Sequence, residues 1–332
     1  MLTTRNLVKI IFNSFLGFIL ILIWLQFVNL EEIINTISRV ELMKLLPVFF
    51  FTFLAQFLRS IKLKIFLSPV KKISLKDLFF LNGAATMLNF LIPIRAGEIA
   101  KGLYISKNYV VPVRKALVWI FMDRFIDFLA VLALIGPLLI FIPTRLPQSI
   151  MIITIIIFIT VIFFLYLAVF KSNFSGKIVR FLSKFLIVNS IKIYFERICI
   201  FFLESFVILK RKPHELLLIF AVTILAFGAD AGIWFFTFLA LGAPQDYITM
   251  YFAQLLSALT YLIPAAPGYV GSTEASGLLI FSGVFGIDAN LASAMIVLFH
   301  IITAIFVLGF GIASLYFLKI NLIGSLKNIK DL

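Results

Sequence analysis

The stretch that decides the fold is Asp77-Leu-Phe-Phe-Leu-Asn-Gly-Ala-Ala-Thr-Met-Leu-Asn-Phe-Leu-Ile-Pro-Ile94. It is apolar and nearly long enough to cross a bilayer, yet it ends on Pro93 and carries Asn82, Gly83 and Asn89. Lys and Arg crowd both of its flanks. Residues 59–76 hold six (Arg59, Lys62, Lys64, Lys71, Lys72, Lys76), and 95–115 hold five (Arg95, Lys101, Lys107, Arg114, Lys115). Basic residues stay on the cytoplasmic side of a membrane, so a segment that is basic at both ends enters and returns rather than crosses. A second apolar stretch, about 251–286, has the opposite flanks, because 242–250 and 286–289 hold no Lys or Arg. Within it, Leu259-Thr-Tyr-Leu-Ile-Pro264 echoes Leu88-Asn-Phe-Leu-Ile-Pro93. After each Pro come a Gly and a Glu: Gly97-Glu98 in the first copy, Gly268 through Glu274 in the second. Three spans separate the copies, an odd number, so they point in opposite directions. That is the pattern of an inverted repeat whose broken helices meet near the midplane. Broken backbone at that depth must be buried in protein or line a wet cavity.

Composition agrees. The chain has 332 residues, 63% hydrophobic and 13% charged, against roughly 45–50% and about 25% in soluble proteins. Forty phenylalanines leave too few polar side chains to cover a water-facing surface. The net charge of +14 fits basic cytoplasmic loops and anionic lipid headgroups rather than nucleic acid. One cysteine, Cys199, excludes an intrachain disulfide and a Cys-based metal cluster. Two histidines, His214 and His300, leave little for a His-rich metal site. No Walker, GxSxG, HExxH or GxGxxG motif occurs. No cofactor, metal or catalytic residue is expected, and a transporter is favoured over an enzyme.

Full-length apolar stretches run over 10–28, about 45–58 (short, extended by Leu42 and Met43), 116–142, 149–170, 213–241 and 290–318. No small-residue cleavage site follows the first, so it reads as a retained span. The expected fold is an all-α polytopic membrane protein with about six full transmembrane helices and two re-entrant helical hairpins. It forms a single integral membrane domain over 1–332, with repeat halves about 42–170 and 213–318. The joining segment, 171–212, carries nine Lys and Arg interleaved with Phe181, Phe185, Ile193 and Phe195. It suits a basic amphipathic segment on the cytoplasmic face, with a short extra span over 198–209 as the alternative. Both termini are expected in the cytoplasm of a cell-membrane protein.

Three clusters could carry chemistry. In Pro93–Lys101, Arg95, Glu98 and Lys101 lie at i, i+3 and i+6 on one helical stripe, and Arg95 offers a bidentate fork to phosphate. An interfacial turn with snorkelling Arg and Lys is the plainer reading. In Asp123-Arg124-Phe-Ile-Asp127, Arg124 can pair with Asp127 while the other carboxylate holds Arg95 or Lys101. A purely structural pair and a positioning role both remain open there. In Pro264–Glu274, Gly268 and Gly271 break the helix, and Ser272, Thr273 and Glu274 begin a new one whose positive end favours an anion. Glu274 is also a candidate for proton or cation coupling, against a simple capping role. Asp230 lies mid-span and is a functional candidate by default. His300 is expected to hydrogen-bond between helices.

The run Arg95-Ala-Gly-Glu98-Ile-Ala-Lys101, then Lys115-Ala116, Asp123-Arg124-Phe-Ile-Asp127 and Pro267-Gly268-x-x-Gly271-x-x-Glu274, resembles the lysylphosphatidylglycerol synthase transmembrane-region family of flippase-like integral membrane proteins. Tyr269 departs from it, standing where a second Gly often follows Pro-Gly. In bifunctional relatives this region is implicated in moving aminoacylated phospholipid, and a separate soluble domain makes that lipid. The resemblance implies a flippase-type translocase for an anionic or zwitterionic phospholipid or a lipid-linked (polyprenyl-phosphate) sugar, with the synthase domain expected to be absent. Arg95, Glu98, Lys101, Gly268, Gly271, Ser272 and Glu274 would contact substrate, while Asp123, Arg124, Asp127 and Asp230 would hold geometry or couple. Two alternatives stand beside it. One is a lipid-modifying transferase using Glu98 or Glu274 as base. The other is a non-catalytic subunit that recruits a soluble transferase.

Overall fold

Apolar runs with few turn residues and well-placed caps make helices throughout. In the computed structural model, the described residues are 4–92, 96–170, 172–185, 192–193, 195–196, 199, 213–260 and 266–319. Pro93, Ile94, Arg95 and residues 261–265, at the two expected tips, lie outside them. So does nearly all of 198–209, where an extra span was the alternative.

Among the described residues there are twelve α-helices and no strand. They are α1 Thr4–Trp24, α2 Leu30–Ser38, α3 Leu46–Leu67, α4 Leu75–Leu91, α5 Ala96–Tyr109, α6 Val113–Phe141, α7 Gln148–Phe170, α8 Ser172–Ser183, α9 Pro213–Ala240, α10 Tyr247–Thr260, α11 Ser272–Leu278 and α12 Ala289–Phe317. A π-helical turn, Leu279–Val284, continues α11. Side-chain caps fix several starts. Asn29 Oδ1 accepts from the Glu31 and Glu32 amides, Ser74 Oγ from the Asp77 amide at 3.0 Å, and Asp288 Oδ1 from the Asn290 and Leu291 amides at 3.0 Å.

Among the described residues, four helices are long and apolar enough to cross a membrane: Leu42–Leu67, Val113–Phe141, His214–Ala240 and Ala289–Phe317. α1 and α7 are apolar over Phe12–Trp24 and Gln148–Thr160. The short stretch expected over 45–58 is therefore longer than its hydropathy implied. Pro47 starts α3, and the helix runs through Arg59, Lys62 and Lys64 because the first two find carboxylates in the interior. Arg59 and Lys62 belong to the helix bundle, not to a solvated basic loop. Phe50, Ile156, Leu225 and Ile305 are more than half exposed on the outer surface, the arrangement expected where lipid rather than water is the solvent.

Around the two interruptions the helices are short. α4 has 17 residues and α5 14, while α10 has 14 and α11 seven, against about 20 for a straight crossing. α4 packs on α5, and α10 on α11 and its π turn. α3 lies along α9, α4 along α12, and α6 along α10, while α5 packs on α6 and α11 on α12. Hydrogen bonds tie α3 to α4: Asn82 Nδ2 donates to Ser60 Oγ at 2.9 Å, and Gln56 Nε2 to Thr86 Oγ1 at 3.4 Å. In an apolar solvent such bonds help specify which helices meet.

Two glycines permit the close approaches. A Cβ at Gly97 would lie 1.9 Å from the Ala85 carbonyl oxygen, and the Gly97 amide donates to Asn89 Oδ1 at 2.8 Å. This seats α5 directly on α4. Gly271 has φ +82°, and a Cβ there would lie 2.1 Å from the Gly17 carbonyl oxygen, so α1 closes over the second interruption. Gly97→Ala should destabilise the protein by about 1–3 kcal/mol through overpacking. Gly309→Ala, with nothing near its Cβ, should be neutral or stabilising by up to about 1 kcal/mol. Melting both variants in detergent compares them, and equal melting temperatures would contradict the α4–α5 contact.

Candidate functional site

Charged side chains cluster inside this apolar bundle. Lys62, on α3, is 1% exposed and lies between two carboxylates of α6. Its Nζ is 2.9 Å from Asp123 Oδ1 and also contacts Asp127 Oδ1. Arg124 spans the same pair, with Nη2 2.5 Å from Asp123 Oδ2 and Nη1 3.2 Å from Asp127 Oδ2. Its Nε lies 3.9 Å from Glu98 Oε1, and Glu98 Oε2 is 3.1 Å from Lys101 Nζ on the same helical face of α5. A bidentate pair adjoins this cluster. Arg59 Nη1 donates to Asp230 Oδ1 at 3.1 Å while Nη2 binds Oδ2. The pair lies close enough for its charges to act on Arg124 and Asp127.

Among the described residues the cluster therefore holds four cations (Arg59, Lys62, Lys101, Arg124) and four anions (Glu98, Asp123, Asp127, Asp230) from α3, α5, α6 and α9. Isolated charges at such depth are costly, and balance is what makes them tolerable. The expected Arg124–Asp127 pair is present. The other carboxylate, however, does not go to Lys101. Lys62 takes both aspartates, and Lys101 is held by Glu98, three residues away. Arg95 lies outside the described residues.

A second cluster surrounds the other interruption. His300 Nδ1 is 2.6 Å from Glu274 Oε1, and Nε2 is 2.7 Å from the Gly268 carbonyl oxygen. Glu274 Oε2 accepts from the Gly271 amide at 2.7 Å. The start of α11 is thus capped by the Glu274 carboxylate. This is the capping role weighed for Glu274, and Ser272 Oγ donates back to the Tyr269 carbonyl at 2.8 Å. A carboxylate reaching back one turn meets a free amide directly, so the helix start is already satisfied from within the chain. The Phe90 ring of α4 lies 6.0 Å from Tyr269 and 6.3 Å edge-on from His300, which brings the two interruptions together.

Sequence reasoning placed Glu98, Lys101, Asp123, Arg124 and Asp127 near one another and Gly268, Gly271, Ser272 and Glu274 in a second group, and it left Asp230 as an isolated mid-span candidate. It missed Arg59 and Lys62. Their i, i+3 spacing at the end of an apolar run was the available signal.

The helices and the buried ion cluster together define an all-helical integral membrane protein. The family described as the lysylphosphatidylglycerol synthase TM region matches residues 8–311, and the chain belongs to that family. No curated protein and no solved structure matches.

Removing one partner of a buried pair leaves an uncompensated charge and costs about 3–5 kcal/mol, whereas replacing both with apolar residues is often neutral. Lys62→Met and Arg59→Met should each lower thermal stability markedly. Arg59→Met combined with Asp230→Leu should recover most of that loss. A double variant no more stable than the single one would mean that this pair is not buried as a unit.

Proposed function

We propose that the chain is a lipid translocase of the flippase type, carrying a phospholipid or a lipid-linked (polyprenyl-phosphate) headgroup past the hydrocarbon core. The observation that carries this reading is the neutralised cluster of eight ions in four packed helices, adjoining the α4–α5 interruption. A polar headgroup needs charged or hydrogen-bonding surface along its route, whereas a purely structural bundle packs as well with apolar side chains. The membership of a family described by a lipid-synthase membrane region supports the lipid class. Within the cluster the charges balance. Arg95, one turn before Glu98 in sequence, adds a cation suited to phosphate by its bidentate fork. Glu98 and Lys101 contact the headgroup beside it, while Asp123, Arg124, Asp127 and Asp230 hold the geometry.

The translocase is an inverted repeat with re-entrant hairpins around 82–94 and 260–274, and both termini lie in the cytoplasm of the cell membrane. Support comes from the packing. Exchanging α3 for α9, α4 for α10, α5 for α11 with its π turn and α6 for α12 carries the contacts among these eight helices onto observed contacts, that of α3 with α9 onto itself. The offset of 171 residues that overlays Leu88–Pro93 on Leu259–Pro264 also sets Arg59 against Asp230, its own ion-pair partner. The two halves clasp each other at one equivalent position.

Reconstitution of the full chain in liposomes tests the function, with fluorescent phospholipid translocation run beside a headgroup-modification assay. Translocation without headgroup turnover is expected, and turnover without translocation would make the protein a transferase. Arg95→Lys should slow translocation about tenfold, the equivalent of one charge-assisted hydrogen bond of ~1.5 kcal/mol. For topology, single cysteines at Lys72 and Asn108 in a Cys199→Ser background should label from the same side. Labelling from opposite sides would mean that the segment between them crosses completely.

A further inference from the structure

Past the interruptions, the register between the halves lengthens by five residues. α6, Val113–Phe141, and α12, Ala289–Phe317, are both 29 residues long. Aligning their first residues also aligns their N-caps, Pro112 and Asp288. It further aligns the left-handed residues ahead of them, Val110 (φ 56°) and Gly286 (φ 72°). In that register Glu98 falls on Glu274, and Arg124 falls on His300. The first half thus sets a carboxylate beside a permanent cation, and the second sets one beside an imidazole.

We propose that Glu274, His300 and the Gly268 carbonyl form a proton-binding latch at the second interruption, the titratable counterpart of the Glu98–Arg124 contact. The geometry requires a bound proton. A carbonyl oxygen only accepts, so Nε2 carries its hydrogen and donates to Gly268. Nδ1 then faces a carboxylate oxygen at 2.6 Å, a distance that two bare lone pairs do not hold. A proton lies between them on Nδ1, making an imidazolium–carboxylate pair. The pair carries no net charge, which suits a buried site. When that proton leaves, a net negative charge remains and two acceptors face each other, so the contact opens. Because the other oxygen of Glu274 caps α11 and Nε2 holds the Gly268 turn, opening frees the turn from α12. Phe90 stands against both His300 and Tyr269, so the change reaches the point where the two interruptions meet.

Among the described residues, Glu274 of α11 is the charged group that faces His300. α4 presents the Phe90 ring to it, and the 267–269 turn presents the Gly268 carbonyl and Tyr269. Several charged groups on other elements packed against α12 have partners of their own. Glu32 of α2 is held by Asn290, Asp77 of α4 by Ser74 and Tyr109, Asp230 of α9 by Arg59, and Lys62 of α3 by Asp123 and Asp127. The role of the latch in coupling rests on the translocase reading, but proton binding itself does not.

The chain has two histidines, so His214→Asn leaves His300 as its sole imidazole. Nitrogen-15 histidine NMR of that full-length variant in lipid nanodiscs should show, near pH 7, hydrogen-bonded protons at both ring nitrogens. Adding Glu274→Gln should abolish the Nδ1 proton. In liposomes the wild-type translocation rate should change severalfold between about pH 5 and pH 8, the range over which an imidazole changes charge. His300→Arg, which installs the first half's residue, should keep the melting temperature while flattening that profile. A bare Nδ1 in both NMR samples would overturn the proposal, as would a wild-type pH profile in His300→Arg. The NMR signature with no lipid movement at any pH would leave the proton site standing and remove the translocase reading instead.

Discussion

An ionised side chain in hydrocarbon must find its opposite or it expels the segment that carries it. Placing one Lys, Arg or Asp at the centre of a spanning helix costs ~2.5–3.5 kcal/mol on insertion scales, and Lys62 is almost wholly buried. It is tolerable because α6 brings two aspartates to it. Arg124 then neutralises what Lys62 leaves over, and Glu98 and Lys101 extend the alternation of sign onto α5. Apolar surface gives helices little reason to choose one neighbour over another in lipid. The ion pairs supply that choice. They decide that α3, α5 and α6 meet, and the Arg59–Asp230 clasp decides that α9 joins them.

The two interruptions are held shut by different means. The first is seated by sterics and one neutral hydrogen bond, with Gly97 against the Ala85 carbonyl and Asn89. The second is held by a carboxylate that serves two partners at once, an amide at the start of α11 and an imidazole on α12. One contact depends on the shape of the backbone, which does not titrate. The other depends on a proton. On the translocase reading, two halves with matching helices can therefore respond differently to the same conditions.

Much of this was legible in the sequence because membrane chemistry is severe. The apolar runs and the paired Glu98–Lys101 and Asp123–Arg124–Asp127 spacings follow from residue type and helical period alone. Arg59 and Lys62 were read as loop charges because they follow an apolar stretch that looked complete at residue 58. Nothing local says that carboxylates 60 to 170 residues away will draw them inside. The capping role weighed for Glu274 is the one found, but the amide it meets was not legible. Ser272 and Thr273 are good capping types, but only the left-handed turn at Gly271 reveals that its amide faces Glu274. The equivalence of Arg124 and His300 was hidden by their differing chemistry and by the five-residue change in register at the second interruption.

On the translocase reading, Glu98 is the residue at which stability and transport converge. It lies 3.1 Å from Lys101 and 3.9 Å from Arg124, so one carboxylate is shared between two cations rather than committed to either. A phosphate is a better partner for both, since it brings more oxygens and accepts a guanidinium fork in two places. On the translocase reading, an arriving headgroup takes over the cations that Glu98 neutralised, and Glu98 returns to them when the headgroup departs. Because Glu98 stays in the cluster, the charge count holds when its displaced carboxylate takes up a proton from the aqueous side as the headgroup enters and releases it as the headgroup leaves. A tighter, fully private ion pair would be just as stable and would bar that exchange. The loose geometry around Glu98 is what such an exchange requires.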